Sequence, residues 1–67
     1  MIGQKIKELR IERGLRLKDV AEAMDLTLRA ICHYEAGTRE PSLATVVKLC
    51  KFFDVSADYL LGLTDNY

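Results

Sequence analysis

Two cysteines, one histidine and one proline are all that this 67-residue sequence holds of three residue types on which many small proteins depend. Each scarcity excludes something. Cys32 and Cys50 allow at most one disulfide, and in an intracellular chain the default for such a pair is two reduced thiols. With His33 they give three potential ligands against the four of a structural zinc site, so neither a metal nor any other cofactor is expected. No apolar stretch approaches the roughly 18 to 20 residues of a membrane helix. The opening MIGQKIKELR lacks the apolar block of a signal peptide, so the expectation is a cytoplasmic protein. No nucleophile, base and orienting group assemble, no glycine-rich phosphate loop occurs, and a chain this short has little room for a deep substrate pocket. The sequence does not read as an enzyme.

Net charge is missing too. Ten Lys and Arg balance ten Asp and Glu, which taken alone argues against a polyanionic partner. The balance hides a gradient. Residues 1–18 carry Lys5, Lys7, Arg10, Arg13, Arg16 and Lys18 against Glu8 and Glu12, a net +4, whereas residues 54–67 carry Asp54, Asp58 and Asp65 with no base, a net −3. The middle adds −1. A neutral chain so divided can still present one basic surface.

What is present is a globular composition, 49% hydrophobic and 30% charged, in a length that suits one domain over residues 1–67. A domain this small buries only about 60% of its unfolded surface, so association would help it. Ile2, Ile6, Leu9 and Arg13 share one helical face, and Gly14 follows where a left-handed closing residue belongs. Leu17, Val20, Ala21 and Met24 repeat the pattern in a second helix of about two turns. Asp25 tolerates a left-handed backbone and Thr27 is suited to cap a third helix over 28–36, which Gly37 ends before the TREPS loop and Pro41. Ser42 caps a fourth helix whose core face is expected to be Leu43, Val46, Val47, Cys50 and Phe53. Ser56 caps a short fifth, closed by Gly62. With no strand-like alternation and no repeat, the fold class is all-α, five short helices joined by turns.

Helices two and three, each about two turns long and separated by some three residues, read as a helix-turn-helix, with small Ala21 at the crossing and Ile31 opposite it. At this point IGQKIKELRIERGL, LKDVAEAM, RAICHYEAGTREPS and FDVSADYLLG closely resemble the phage-repressor family (Cro-type, Xre-like) of lambda-repressor-like domains. Two positions depart from it: Leu17 stands where the family commonly has a DNA-backbone-contacting Gln, and Asp25 replaces the usual turn glycine.

The resemblance implies a sequence-specific regulator of transcription, a repressor, that reads the major groove of double-stranded DNA with helix three. Leu28, Arg29, Cys32 and His33 then face base edges. Arg29 has the planar fork for guanine O6 and N7, and Leu28 the apolar side chain for a thymine methyl. Arg16, Leu17, Lys18, Thr27, Thr38 and Arg39 are the expected phosphate contacts. An Arg10–Glu35 ion pair is expected between helices one and three, from the family pattern and from the apolar neighbours of both charges. Surplus apolar side chains late in the chain, Phe52, Tyr59, Leu61 and Leu63, make candidates for a homodimer interface, whose two-fold axis would call for a roughly palindromic operator. The neutral overall charge leaves an alternative open, an antitoxin or other interaction module whose main partner is a protein.

Overall fold

A computed structural model describes residues 2–67 and arranges them as α1 (Ile2–Glu12), α2 (Leu17–Ala23), α3 (Leu28–Ala36), α4 (Leu43–Phe53) and α5 (Ala57–Leu60), with no strand among the described residues. Three of the starts are built by the capping residues read from sequence. The side-chain oxygens of Thr27, Ser42 and Ser56 accept the backbone N–H groups of Ala30, Thr45 and Tyr59 at 3.1, 3.2 and 3.1 Å, satisfying donors that a helix start leaves unpaired. The ends share one device. Gly14, Asp25, Gly37, Asp54 and Gly62 all have left-handed backbones, and after each one the next N–H reaches back five residues to a helix carbonyl, as Thr38 does to His33 at 3.1 Å. Gly37, at φ 79°, adopts this conformation without a Cβ penalty; Asp25 and Asp54, at φ 56°, carry one.

Packing fills the interior with Ile6, Leu9, Val20, Ile31, Leu49, Phe53 and Leu60, all fully buried, and adds Ala21, Met24, Tyr34, Val55 and Tyr59 around them. α1 and α2 both rest on α3. The α1–α3 crossing is so close that a Cβ on Gly3 would lie 2.1 Å from the Tyr34 carbonyl oxygen, a backbone atom that cannot step aside. Arg10 spans the same crossing. Its Nε and Nη2 donate to the two Glu35 carboxylate oxygens at 2.7 and 3.2 Å, and Nη1 donates to the Leu15 carbonyl at 3.0 Å, tying down the α1–α2 connection as well. The side chains are 15% and 8% exposed, so the pair sits largely out of water. The hydrogen bond to Glu35, ahead of the opposing effect of burial, holds the guanidinium protonated beyond its ordinary range.

Three expectations about the core are corrected. α4 turns Thr45, Leu49 and Phe53 inward and half-buries Val46 and Cys50, while Leu43 is 80% and Val47 46% exposed. The run LATVVKLCKFF is apolar around most of its circumference, so pattern alone does not fix its phase. Thr45 settles it, because its hydroxyl pairs with the Ser42 hydroxyl at 3.1 Å and becomes cheap to bury. Arg13 lies past the end of α1, not on its buried face. It is exposed, donates to the Phe53 carbonyl and stacks over the Phe53 ring at 5.6 Å, a cation at the negative end of α4. Tyr59 is only 7% exposed: Lys5 lies over its ring at 4.7 Å and Tyr67 packs edge-on at 4.9 Å, so its ring is covered within the chain and is withdrawn from the candidate interface.

Two outcomes follow from the α1–α3 crossing. Gly3→Ala should lower stability by about 1–3 kcal/mol through forced separation of the helices, read as a fall in melting temperature. Arg10→Met and Glu35→Gln should each lose about 2 kcal/mol, more than an exposed pair would, since each leaves a partly buried group uncompensated. Thermal melts of the two single variants and the double variant decide this: a double variant no worse than either single one marks a coupled pair, and additive losses mark two independent residues.

Candidate nucleic-acid interface

α3 is held on its inner side by Ile31 and Tyr34, both buried, with Ile31 in the same core cluster as Val20 and Ala21 of α2 and Met24 just after it. Asp25 lets the chain reverse between the two helices, and Leu26 of the turn packs on the core. The outer side of α3 is thereby left without packing partners. Leu28, 51% exposed, Arg29 and Cys32 are exposed, and His33 is half-buried beside them. These four residues occupy one contiguous stripe at helical spacing. It contains no acid, because Glu35, the one acidic residue of α3, is turned to Arg10.

Hydrogen bonds join part of this stripe to the loop behind it. Arg29 Nε donates to His33 Nε2 at 3.4 Å, His33 Nδ1 and Thr38 Oγ1 are 2.7 Å apart, and the Thr38 hydroxyl returns to the His33 carbonyl at 3.4 Å. With Nε2 facing the Arg29 donor, Nδ1 is the ring nitrogen that meets the Thr38 hydroxyl. Arg29 is thus steadied through Nε while its two terminal nitrogens have no partner among the described residues. Thr27 has its oxygen committed to the α3 cap but keeps a hydroxyl proton to donate.

The flanking cations differ in availability. Arg16 donates through Nε and Nη2 to Asp19 at 3.1 and 3.0 Å, and its backbone N–H also bonds Asp19, at 2.8 Å. These bonds hold the Asp19 carboxyl below its ordinary range. Arg16 is therefore partly neutralised where it stands. Lys18 and Arg39 are exposed and have no ion-pair partner among the described residues. Leu17 is half-buried with its side chain packed toward the core, which leaves only its backbone N–H for an outside acceptor.

The other chemistry-bearing residues form no second centre. Cys32 is an exposed free thiol; Cys50 is half-buried, and burial pushes its thiol pKa up. No group of three or more His, Cys, Asp or Glu is placed to hold a metal among the described residues, and no helix among them is long and apolar enough to cross a membrane. Phe52, Leu61 and Leu63 remain exposed on α4 and after α5. Sequence reasoning missed Gly3, whose role depends on a backbone in another helix. It also missed Thr45 and Leu49, for which the i, i+4 row ending at Phe53 was the available signal.

Comparison with known proteins agrees with this architecture. A family model described as helix-turn-helix matches residues 6–60. The chain is 36% identical over 66 residues to the uncharacterized HTH-type transcriptional regulator YobD of Bacillus subtilis, covering 98% of this chain and 59% of that one. It is 42% identical over 55 residues to the cryptic phage CTXphi transcriptional repressor RstR of Vibrio cholerae, covering 82% of this chain and 50% of RstR. The chain thus spans about half the length of the curated relatives it matches. Among solved structures, the P22 c2 repressor in complex with a synthetic operator superposes with a TM-score of 0.84 at 25% identity, over 90% of this chain and 91% of that one. With five helices, the α2–turn–α3 pair at their centre and a family match over most of its length, the chain belongs to the helix-turn-helix family.

Proposed function

We propose that residues 1–67 form one DNA-binding domain of a cytoplasmic transcriptional regulator, a repressor, that binds double-stranded DNA sequence-specifically by laying α3 in the major groove. The observation that carries this reading is the unpacked, acid-free stripe Leu28, Arg29, Cys32 and His33 on a helix fixed from behind by α1 and α2. The likeness to a repressor that was solved on operator DNA supports it. Arg29 reads guanine with its two free terminal nitrogens, Leu28 meets a thymine methyl, and Cys32 and His33 line the adjoining base edges. Lys18, Arg39, Thr27 and Thr38 hold phosphates, joined by the Leu17 N–H and by Arg16 when it opens from Asp19. Nothing in this scheme requires catalysis.

The domain works as a homodimer on a roughly palindromic operator, through the surface bearing Phe52, Leu61 and Leu63. Their exposure, 36, 52 and 73%, is more apolar surface than a domain this small is expected to leave wet. Two-fold symmetry then sets the paired α3 helices about 34 Å apart, on successive major grooves.

Selection of binding sites from random duplexes tests both levels. Arg29→Ala should relax the preference at one base pair per half-site, whereas Lys18→Ala and Arg39→Ala should weaken all duplexes alike and reduce the salt slope by about one. A selected motif unchanged by Arg29→Ala removes that residue from base reading, and no selected motif at all sinks the regulator itself. For the dimer, sedimentation at micromolar concentration should show a species of twice 7.6 kDa that Leu61→Glu converts to monomer. A 7.6 kDa species that binds one copy per operator overturns it.

A further inference from the structure

Within the outer stripe of α3, His33 stands apart from its neighbours. Leu28, Arg29 and Cys32 are exposed, whereas His33 is half-buried, set between Arg29 one turn before it and the loop after the helix. Its Nε2 receives the Arg29 Nε–H at 3.4 Å, and its Nδ1 lies 2.7 Å from the Thr38 hydroxyl oxygen. An imidazole has no further polar atom. With both nitrogens engaged, the ring has nothing polar left for a base edge, so what it contributes to base reading passes through Arg29. Thr38 is itself well placed to hold the ring: the left-handed turn at Gly37 returns it to the helix end, where its backbone N–H and its hydroxyl both donate to the His33 carbonyl, at 3.1 and 3.4 Å. A loop thus fixes a ring, and the ring steadies an arginine that is otherwise free to sample many rotamers.

The hold on Arg29 has a chemical condition. Nε2 accepts a hydrogen bond only while it carries no proton; a protonated ring has an N–H at each nitrogen and sets a positive charge against the guanidinium. Imidazole is the side chain that ordinarily changes charge between about pH 5 and 8. The ionisable groups around this one are few. Its own helix carries Arg29, Cys32, Tyr34 and Glu35, and the loop that follows carries Arg39 and Glu40, both exposed. At the α1 crossing Arg10 is closed on Glu35; on α2, Asp19 is paired with Arg16, and Lys18 and Glu22 are exposed. No carboxylate lies within ion-pair distance of the ring among the described residues, so no acid offsets an added proton and Arg29 meets its charge directly.

We propose, on the reading of α3 as the groove helix, that His33 is a positioning residue that sets sequence preference through Arg29 and makes that preference depend on pH. With Nε2 unprotonated, the ring holds the guanidinium while its two terminal nitrogens meet guanine. A proton on Nε2 ends the hold, so preference at the Arg29 base pair relaxes, and the added positive charge strengthens binding to every duplex. Falling pH lowers discrimination and raises affinity together.

Two measurements on the 67-residue chain test this, one of them without DNA. In the free ¹³C,¹⁵N-labelled protein, the Arg29 Nε and Cζ resonances should move between about pH 8 and about pH 5.5 with the same midpoint as the His33 ring nitrogens. The movement should vanish in His33→Gln, whose amide reaches the place of Nε2 and does not titrate. His33 is the chain's only histidine, and the Gln variant subtracts any other group titrating in this window. On duplexes carrying the selected motif, preference at the Arg29 base pair should fall at least about threefold over the same pH range, the other base pairs of the half-site holding theirs. Over that range, affinity for a random duplex should rise and its salt slope steepen by about one. His33→Ala should relax the same base pair at every pH, and His33→Gln should restore most of that preference and remove its pH dependence. The spectra of the free variants report that they fold. Arg29 resonances indifferent to the His33 titration overturn the proposal, as does a preference at that base pair that neither pH nor His33→Ala alters, or a pH dependence that persists in His33→Gln; each of these leaves α3 as the reading helix. Failure to select any motif removes the groove reading and this proposal together.

Discussion

α1 crosses α3 at a distance that only a residue without a side chain permits, and at that same crossing a guanidinium and a carboxylate lie mostly out of water. The two features constrain each other. Gly3 brings the helices close enough for Arg10 to reach both oxygens of Glu35, and the bidentate pair in turn specifies one rotation of α3 about its own axis. That rotation decides which residues of α3 face outward. It places Ile31 and Tyr34 inside, leaves Leu28, Arg29 and Cys32 outside, and takes the negative charge of Glu35 off the surface that is proposed to meet phosphates. Because Arg10 also holds the Leu15 carbonyl, one side chain ties together α1, the α1–α2 connection and α3.

The same logic explains how a chain of zero net charge suits a polyanion. Charges are not averaged over the surface; several are consumed internally. Arg10 is spent on Glu35, Arg16 is partly spent on Asp19, and Arg13 caps the end of α4. Lys18, Arg29 and Arg39 remain without a carboxylate partner among the described residues, around an α3 face that holds no acid. Local arrangement, with net charge playing little part, sets the field a ligand meets at close range.

Helix boundaries were legible in the sequence because they depend on chemistry within four or five residues. Thr27, Ser42 and Ser56 cap where their hydroxyls predict, and the glycines and Asp25 close helices where a left-handed residue is needed. The outward stripe of α3 was legible through the family resemblance, since Leu28 shares helical spacing with Ile31 and periodicity alone leaves its side open. What was hidden depends on partners distant in sequence. α4 is apolar on too many sides for its pattern to choose among them, and a buried Thr45 against an exposed Leu43 inverts the hydrophobicity rule. Tyr59 reads as surplus apolar surface until Lys5 and Tyr67, 54 residues before it and eight after, are seen to cover it. The Arg29–His33–Thr38 chain of bonds needs a loop to fold back on the end of a helix, which no spacing rule encodes.

The aspartates at the ends of α2 and α4 have a consequence for the lifetime of the molecule. A non-glycine residue in the left-handed region costs about 1 kcal/mol, and such a domain has only a few kcal/mol of stability in total. Asp25 and Asp54 each raise the share of molecules open at any instant roughly fivefold over a strain-free closure. Open chains are what proteases degrade, so the two turns act on turnover, and with it on how quickly the amount of this protein follows a change in its synthesis.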